Sequence, residues 1–230
     1  MWRVLTPGVA GPPRGRAVEA VRRAMESRLD AQRLRDALPE LARSAHVRER
    51  VFPALLPSYR RFVSRVAPPA QSMSLEVAAF LADLCERRAP QRVLELGTGF
   101  GTSVLRRGSG AGGPEIWSAD DDPERLARTR AFLAAEGLAT ERLVSFREFL
   151  ATRETSFDLV VHELATTAGA ALAVVLERVA PGGLVLLDGA QDPTAERTAR
   201  RLLISLGAEQ WSLRALTRDC YGRHALLARF

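Results

Sequence analysis

Three glycines at alternate positions, Gly97, Gly99 and Gly101, follow directly on the apolar segment 92–96. Because glycine carries no Cβ, a backbone with glycines at these positions can turn sharply and lie close against a ligand. A strand that runs into such a loop is typical of nucleoside-cofactor sites, and Thr98 adds a hydroxyl to it. The alternative is a turn whose glycines serve only close packing and bind nothing.

The spacing of the glycines separates two cofactor classes. A dinucleotide site requires G-x-G-x-x-G, in which the pyrophosphate lies at the N-terminus of the next helix, whereas this loop reads G-x-G-x-G. Glu95 lies two residues before the first glycine, and its carboxylate favours a ligand with positive charge, such as an ammonium or a sulfonium, over a diphosphate. The loop therefore predicts a nucleoside cofactor that carries a cation.

A run of three aspartates ends the next predicted strand, 115–119. A carboxylate about twenty residues beyond a glycine loop can bind both hydroxyls of a ribose, and we assign this role to Asp120, with Asp121 beside it in the cofactor site. The aspartates also precede Pro123, so Asp122 is a candidate N-cap with proline at the first helical position. The two roles are compatible, since they fall on different residues.

A third segment, residues 179–188, reads as a helix end, a Pro-Gly-Gly turn and a buried strand that ends in an aspartate. These three segments, in this order, resemble the class I S-adenosylmethionine-dependent methyltransferases. The resemblance implies S-adenosylmethionine as the cofactor. It also implies a Rossmann-like α/β fold with a mainly parallel seven-stranded sheet that ends in an antiparallel hairpin.

The remaining pattern agrees with that fold. Strands and helices alternate, which predicts a parallel sheet. The strands are predicted near 92–96, 115–119, 142–146, 157–162 and 183–188, followed by a helix over about 194–206. Glu209 to Leu216 and Arg223 to Phe230 are joined by too few residues for a helical crossover, so they are predicted to pair as a hairpin.

The organisation along the chain predicts three parts: a lead-in over residues 1–16, a helical segment over 17–72, and a cofactor-binding domain over 73–230. Residues 17–38 have a helical period of apolar residues with arginines between them, and two further helices are predicted after Pro39 and over 58–66. Because specificity in such folds lies in appended segments, the N-terminal helices are expected to cover the substrate entrance or to form a homodimer contact.

Candidates for catalysis lie at the carboxyl ends of the fourth and fifth strands, where open α/β sheets carry their reactive groups. These candidates are His162, Glu163 and Asp188. Imidazole titrates near neutral pH, so His162 is the candidate base for a hydroxyl acceptor. The alternative for His162 is a packing or capping role at the strand end.

The ends of the predicted strands also carry candidates for a metal site and for an adenine contact. In metal-dependent catechol-type O-methyltransferases, which the chain distantly resembles, Glu163 and Asp188 fall at ligand positions, but Gly189 replaces an asparagine ligand. Two carboxylates leave only a water-rich Mg²⁺ site, so we assign no metal ligand and take Mg²⁺ as the less favoured reading. Glu148, after the third strand, is a candidate acceptor for the adenine amino group or an exposed loop acid.

A closer resemblance covers most of the chain, to a group of bacterial class I methyltransferase-like proteins of undefined substrate. The shared segments are 74–76, 94–101, 118–122, 162–163 and 217–223. This chain departs from the group in having Glu163 where the group has aspartate, and Gly189 where it has a second aspartate. The departures concern the catalytic side of the site and leave the cofactor assignment as it is.

Composition limits the alternatives. All 33 basic residues are arginine, which excludes lysine Schiff-base chemistry and the phosphate-binding G-K-[ST] loop. Residues 1–65 hold 14 arginines and 6 acids, so nucleic-acid modification is one alternative. Residues 162–165, His-Glu-Leu-Ala, lack the proline-aromatic motif of base amino-group methylation, which favours a small-molecule acceptor. A non-catalytic protein that keeps the cofactor fold for interaction is the other alternative.

Location is predicted from what the chain lacks. It has two cysteines and no apolar stretch near eighteen residues long, which favours a reducing compartment and no membrane span. Prolines and glycines interrupt the N-terminus where a secretory signal would be continuous and apolar. We therefore predict a cytoplasmic enzyme that methylates a small molecule.

Overall fold

The structure, a computed structural model, describes residues 14–41, 47–107, 113–154, 156–164, 169–190 and 192–230. Within these ranges the strands form one seven-stranded sheet in the order β3-β2-β1-β4-β5-β7-β6. The strands are β1 (Arg92–Leu96), β2 (Glu115–Asp120), β3 (Leu143–Ser145), β4 (Phe157–Glu163), β5 (Val179–Asp188), β6 (Glu209–Ser212) and β7 (Leu226–Arg229). The first five are parallel and β7 is antiparallel to both of its neighbours, which confirms the predicted fold class.

The helices alternate with the strands as predicted. They are α1 (Arg14–Ala37), α2 (Phe52–Arg65), α3 (Leu75–Arg88), α4 (Phe100–Arg107), α5 (Pro123–Ala135), α6 (Phe146–Ala151), α7 (Gly169–Leu176), α8 (Pro193–Ser205) and α9 (Arg214–Thr217). A 3₁₀ turn (Pro39–Leu41), a π turn (Val47–Val51) and a second 3₁₀ turn (Pro69–Gln71) lie between the first helices. In the described part of the chain, no helix is long and apolar enough to cross a membrane.

Both faces of the sheet are buried, because successive side chains of a strand point to opposite faces and β4 is apolar on both. Leu159 and Val161 join the core formed with α2, α3 and α4, whereas Val160 joins the core formed with α6, α7 and α8. His162 follows Val161, so the same alternation places it on the face of Val160.

The helices before β1 share the core of the sheet. Leu34, Leu38 and Phe62 are each no more than 2% exposed and pack with residues of α3 and β1. Asp30 of α1 accepts a hydrogen bond of 2.9 Å from the backbone N–H of Ser212, on the edge strand β6. The C-terminal half of α1 therefore covers a sheet edge that would otherwise present free backbone groups.

A cluster around Glu136 also holds α2 against the sheet domain. Arg61 of α2 donates through Nε and Nη2 to the two carboxylate oxygens of Glu136, at 2.7 Å each, and Arg107 of α4 donates to the same group at 3.0 Å. The Arg61 hydrogen bond is the main reason that the pKa of Glu136 falls to about 2. This carboxylate therefore stays ionised, and the three helix ends stay paired, at any physiological pH.

Several predicted boundaries were wrong. The first helix begins at Arg14, before its predicted start at residue 17, and residues 1–13 of the predicted lead-in lie outside the described residues. Pro39 begins a 3₁₀ turn rather than a long helix, and the next helix begins at Phe52, before the predicted Ser58.

The predicted hairpin is confirmed, but its first strand is shorter than expected. This strand ends at Ser212, since the amide of Thr217 bonds to the carbonyl of Leu213 and closes the turn of α9. The strand predicted to reach Leu216 therefore gives way to a short helix that leads into the loop before β7.

Candidate active site

Two cavities meet at the carboxyl ends of β1, β2, β4 and β5, where the parallel strands of such a sheet form their ligand crevice. The first, the β2 cavity, has a volume of about 230 Å³ and is lined by Leu96, Gly97, Ala119, Asp120, Asp121, Asp122, Arg125 and Phe146. The second, the loop cavity, has a volume of about 400 Å³. It is lined by Phe62, Val66, Ala67, Ala70, Gln71, Ser72, Met73, Glu95, Leu96, Gly97, Thr98, Gly99, Phe100, Gly101, Asp122, Arg125, Arg128, Val161, Glu163 and Asp188.

The glycine loop between β1 and α4 forms the wall that both cavities share. Gly97 has φ of +88°, a left-handed conformation that glycine adopts without strain, and its N–H donates to the carbonyl of Ala119 at 2.9 Å. A Cβ on Gly101 would lie 2.8 Å from Oε1 of Glu95 and 2.8 Å from Cε of Met73. The loop therefore needs glycine at these two positions, for two different reasons.

Asp120 fastens this loop to the end of β2. Its Oδ2 accepts hydrogen bonds from the backbone N–H of Thr98 at 2.6 Å and from the Thr98 hydroxyl at 2.8 Å. Its Oδ1 accepts from the N–H of Asp122 at 2.9 Å. The carboxylate is 6% exposed and lies in the wall of the β2 cavity, where a ligand can reach it.

The other two aspartates of the run have separate positions. Asp122 is the N-cap of α5 and accepts hydrogen bonds from the N–H groups of Glu124 and Arg125, with Pro123 next in the helix, as the sequence predicted. Asp121 is exposed and lines the β2 cavity beside Asp120. Asp120 therefore holds the glycine loop, Asp121 lines the β2 cavity and Asp122 caps α5.

Glu95 lies under the loop and is 2% exposed. Burial is the main reason that its pKa rises to about 7, while hydrogen bonds from Thr102 and Ser118 oppose the rise. Among the described residues, its Oε2 has no hydrogen-bond partner. A buried carboxylate oxygen without a donor is costly, so a donor from a ligand in the loop cavity would satisfy it.

Glu163 and Asp188 form a carboxylate pair at the far side of the loop cavity. They are register neighbours at the ends of β4 and β5, and both line the cavity. Burial raises the pKa of Asp188 to about 7, the nearby charge of Glu163 adds to the rise, and the N–H of Gly189 opposes it by donating to Oδ1 at 2.7 Å. The Asp188 carboxyl can therefore accept a proton near neutral pH.

His162 does not have the position predicted for a base. It is 1% exposed, and it is not among the described residues that line either cavity. Within the described ranges, neither ring nitrogen has a partner with hydrogen-bond geometry, and burial lowers the pKa of the imidazole to about 4, although the nearby Leu96 backbone opposes the fall. The strand alternation turns His162 to the opposite face of the sheet, so the geometry does not support the base role.

Part of the sequence is similar to that of a curated methyltransferase. A curated protein-L-isoaspartate O-methyltransferase of Anaeromyxobacter dehalogenans is 34% identical over 132 residues, which cover 55% of this chain and 57% of the relative. The chain thus matches little more than half of the relative's length. No family model matches the sequence.

Solved structures match over a larger part of the chain. TomG, an O-methyltransferase of Streptomyces achromogenes crystallised with S-adenosylmethionine, has a TM-score of 0.55 at 19% identity and covers 79% of this chain and 89% of its own. A putative O-methyltransferase from Klebsiella pneumoniae has a TM-score of 0.56 at 18% identity and covers 90% and 97%. A Bacillus cereus O-methyltransferase in complex with S-adenosylhomocysteine has a TM-score of 0.51 at 16% identity and covers 90% and 98%.

The chain has the class I methyltransferase fold. The resemblance predicted from the glycine loop, the Asp120 strand and the Pro-Gly-Gly segment is thereby confirmed at the level of the class, with similarity to O-methyltransferases. The narrower resemblance to a bacterial group of undefined substrate stays a prediction.

The residues present fit the cofactor of this methyltransferase fold. Glu95 lies in the wall of the loop cavity, with its Oε2 buried and without a partner among the described residues, and Asp120 lies in the wall of the β2 cavity. An acceptor for a cationic amino-acid end and an acceptor for ribose hydroxyls are thus present, one in each of two adjoining cavities. Phe146 adds an aromatic side chain to the β2 cavity.

Glu148 caps a helix, and its predicted contact with adenine stays a prediction. Its carboxylate accepts a hydrogen bond of 2.8 Å from the N–H of Ser145, and its own N–H donates to the Ser145 hydroxyl, which is a complete capping box for α6. It is exposed and is not among the described residues that line the β2 cavity. The spacing Ser-x-x-Glu is by itself a sequence signal for this cap.

Several residues of the cavities were not predicted. Phe146, Arg125, Phe62, Met73 and Phe100 line one or both of them. Phe146 follows β3 directly and could have been found by its place at a strand end. Phe62 and Met73 reach the loop cavity from the segment before β1, and no local sequence signal indicates this.

A clasp between Asp219 and Arg223 fixes the cover of the loop cavity. Nε of Arg223 lies 2.7 Å from Oδ2 of Asp219, and these side chains are 13% and 4% exposed. Nη1 of Arg223 donates to the carbonyls of Ala70 and Ser72, which precede Met73 in the cavity wall. The loop before β7 thereby holds the N-terminal segment over the site.

We expect Arg223→Met to destabilise the protein by about 3 kcal/mol, because the change leaves the buried carboxylate of Asp219 without its cation. For a chain of this size, this loss corresponds to a fall in Tm of roughly 6–12 °C. Thermal unfolding followed by circular dichroism measures it. The matched control is Arg218→Met, since Arg218 is exposed and belongs to the same loop; equal Tm values for the two variants would contradict the clasp.

No group of three or more His, Cys, Asp or Glu residues that could hold a metal ion occurs in the described part of the chain.

Proposed function

We propose that the chain is an S-adenosylmethionine-dependent methyltransferase that methylates an oxygen of a small molecule. In this proposal Asp120, with Asp121 beside it, binds the ribose, and Glu95 with the loop 97–101 binds the amino-acid end. The fold, the methyltransferase relative and the neighbours crystallised with the cofactor or its product support the cofactor assignment. The position of Asp188 in the cavity beside the loop is the observation that carries the acceptor chemistry.

The bound cofactor supplies an electrophilic methyl group on a sulfonium. Transfer of this methyl group to an acceptor hydroxyl would leave the demethylated cofactor as product and would release the hydroxyl proton, which Asp188 is placed to accept. A carboxylate with a pKa of about 7 is well matched to this transfer at neutral pH. The apolar walls formed by Phe62, Phe100 and Val161 would exclude water and hold an apolar acceptor body.

The charge of the cavity separates this proposal from the activity of the curated relative. That relative is named for methylation of L-isoaspartate in proteins, and its acceptor atom is therefore a carboxylate oxygen. A carboxylate acceptor needs no base, and beside Glu163 and Asp188 it would meet like charge. The pair therefore favours a hydroxyl acceptor over an acidic one.

The test is the formation of S-adenosylhomocysteine by the purified chain, with S-adenosylmethionine and a panel of phenols, alcohols, amines and an isoaspartyl peptide. The proposal expects turnover with a hydroxyl compound and none with the peptide. A folded chain that binds neither S-adenosylmethionine nor S-adenosylhomocysteine at millimolar concentration would end the proposal. Binding without turnover of any acceptor would favour the non-catalytic alternative.

For assembly, we propose a homodimer in which the exposed apolar stripe of α1 packs against its copy. The stripe consists of Val18, Val21, Met25 and Leu29, which are 57–69% exposed and follow one another at helical spacing along one face. Leu34, further along the same helix, is 1% exposed and packs in the core of the sheet, so only the N-terminal part of the apolar stripe is free for such a contact.

We expect the double variant Val21→Glu, Met25→Glu to be monomeric where the wild type is dimeric, because two charges would be buried in the contact. Light scattering coupled to size-exclusion chromatography measures the mass. Ile204→Glu is the matched control, since Ile204 is 65% exposed but lies on α8. A monomeric wild type would overturn this assembly.

A further inference from the structure

Arg125 lies where the two cavities meet and lines both of them. Its Nε is 3.4 Å from Oδ2 of Asp120, and its Nη1 is 3.8 Å from Oε2 of Glu163. One guanidinium thus faces the carboxylate assigned to the cofactor and the carboxylate assigned to the acceptor side. Its side chain is 31% exposed, so it can move more freely than the 5% exposed side chain of Asp120.

A bound cofactor would meet this guanidinium. Oδ2 of Asp120 already accepts two hydrogen bonds from Thr98 and Oδ1 accepts one from the N–H of Asp122, so little acceptor capacity of this carboxylate remains for a ribose hydroxyl. Nε of Arg125 lies 3.4 Å from Oδ2 of Asp120 and 3.8 Å from Oδ2 of Asp122, so the guanidinium takes up part of what remains. A molecule with its nucleoside in the β2 cavity and its amino-acid end in the loop cavity must also cross the boundary that Arg125 lines. The ribose and Arg125 are therefore competitors for Asp120.

We infer that Arg125 is a positioning residue that exchanges partners when the cofactor binds, leaving Asp120 to the ribose and pairing with Glu163. This inference rests on the proposed function. The exchange makes the charge state of the acceptor side depend on the cofactor, because a closer Arg125 favours the ionised form of Glu163 beside Asp188. It also makes binding ordered, with the cofactor first and the acceptor second.

The charges around Glu163 permit such an exchange. Burial raises the pKa of Glu163, Arg125 and Arg223 oppose the rise, and Asp120 adds to it. Asp188 faces Glu163 from the neighbouring strand. When Arg125 leaves Asp120 and approaches Glu163, its lowering effect on the Glu163 pKa grows. Glu163 then releases a proton in the pH range where the ligand-free protein holds it partly protonated.

The first test is calorimetric titration of S-adenosylhomocysteine into the wild type, Arg125→Gln and Arg147→Gln. Arg125→Gln removes the competitor for Asp120, so it is expected to bind about three- to tenfold more tightly than the wild type. Arg147→Gln is the matched control, because Arg147 is exposed and forms no ion pair with Asp120 or Glu163 in the described part of the chain. Unchanged or weaker binding by Arg125→Gln overturns the inference.

The second test measures protons, which a merely structural role of Arg125 would not change. The same titrations over a series of pH values, in buffers of different ionisation enthalpy, report the number of protons released on binding. The wild type is expected to release a fraction of a proton that both Arg125→Gln and Glu163→Gln lose. Equal release by all three overturns the exchange alone, whereas a folded wild type that binds no S-adenosylhomocysteine overturns the proposed function and the exchange with it.

Discussion

Replacing Asp120 by asparagine is expected to weaken the binding of S-adenosylhomocysteine about 30-fold. The variant keeps the shape of the side chain and an oxygen for the N–H of Thr98, but it loses the charge that strengthens the bonds from ribose hydroxyls. A hydrogen bond to a charged group contributes about 1.5–3 kcal/mol, and 1.4 kcal/mol is a tenfold change in affinity. Isothermal titration calorimetry measures the loss.

The matched control for Asp120→Asn is Glu124→Gln. Glu124 lies four residues further on, at the start of α5, and is exposed, so its replacement removes the same charge from the same stretch without touching the β2 cavity. We expect its affinity for S-adenosylhomocysteine to stay within about twofold of the wild type, as for other surface changes. Equal losses in the two variants would show a general charge effect and contradict the ribose assignment.

Replacing Asp188 by asparagine is expected to lower kcat by roughly 10²–10⁴-fold, the usual contribution of a general base. Affinity for S-adenosylhomocysteine should change little, because the product carries no acceptor proton for Asp188 to receive. Initial rates of S-adenosylhomocysteine formation, with a hydroxyl acceptor found in the panel, measure the effect. His162→Gln is expected to retain most of the activity, because His162 lies on the other face of the sheet.

The pH dependence provides a separate check on Asp188. The wild-type rate should rise with pH and level off above about 7, because the base is active only when ionised and burial has raised its pKa to about 7. This rise should disappear in Asp188→Asn. Asp192→Asn is the control, since Asp192 is an exposed N-cap of α8 and asparagine caps a helix equally well. A rise at the same pH in both variants would exclude Asp188 as the titrating base.

The free energy of unfolding of the ligand-free protein should also depend on the Asp188 carboxyl. It should fall as pH rises, whereas the rate should rise. A carboxyl whose folded pKa is raised binds more protons in the folded state between about pH 4 and 7, so its contribution to stability is present at low pH and is lost as pH rises through that window. Glu95 acts in the same direction, since burial raises its pKa to about 7 as well. His162 acts in the opposite direction, because burial lowers its pKa to about 4.

Local patterns in the sequence were sufficient to predict the loop and the strand end at which we propose that the cofactor binds. The glycine loop, the acid before it and the aspartate run each depend on residues within one strand-loop-helix unit, whose geometry follows from nearest neighbours along the chain. The alternation of strands and helices then predicted a mainly parallel sheet, because a helix between two strands lets the second strand run in the same direction as the first. The sheet order and the antiparallel last strand agree with that reasoning.

The catalytic half depended on which face of the sheet holds the cavity. His162 and Glu163 are adjacent in sequence, so a strand must turn them to opposite faces, and the sequence alone offered no means to choose between them. The helices α2 and α3 pack over the sheet face that carries Glu163, and the segment between them encloses the loop cavity there. His162 is buried on the opposite face of the sheet. The ordinary pKa of imidazole therefore gave no information about the sheet face on which the His162 side chain lies.

The sequence by itself determined the fold class, the glycine loop, the place of Asp120 at the end of β2 and the pairing of the last two strands, because each depends on residues close together in the chain. Only the tertiary structure decided that Arg125 lies between Asp120 and Glu163, that Arg223 holds the segment before Met73, and that the apolar stripe of α1 is exposed. The contacts of Arg125 with Glu163 and of Arg223 with the segment before Met73 join residues far apart in the chain, and the exposure of the α1 stripe depends on which elements pack against that helix. Their distances are set by how whole elements pack, which no local pattern specifies.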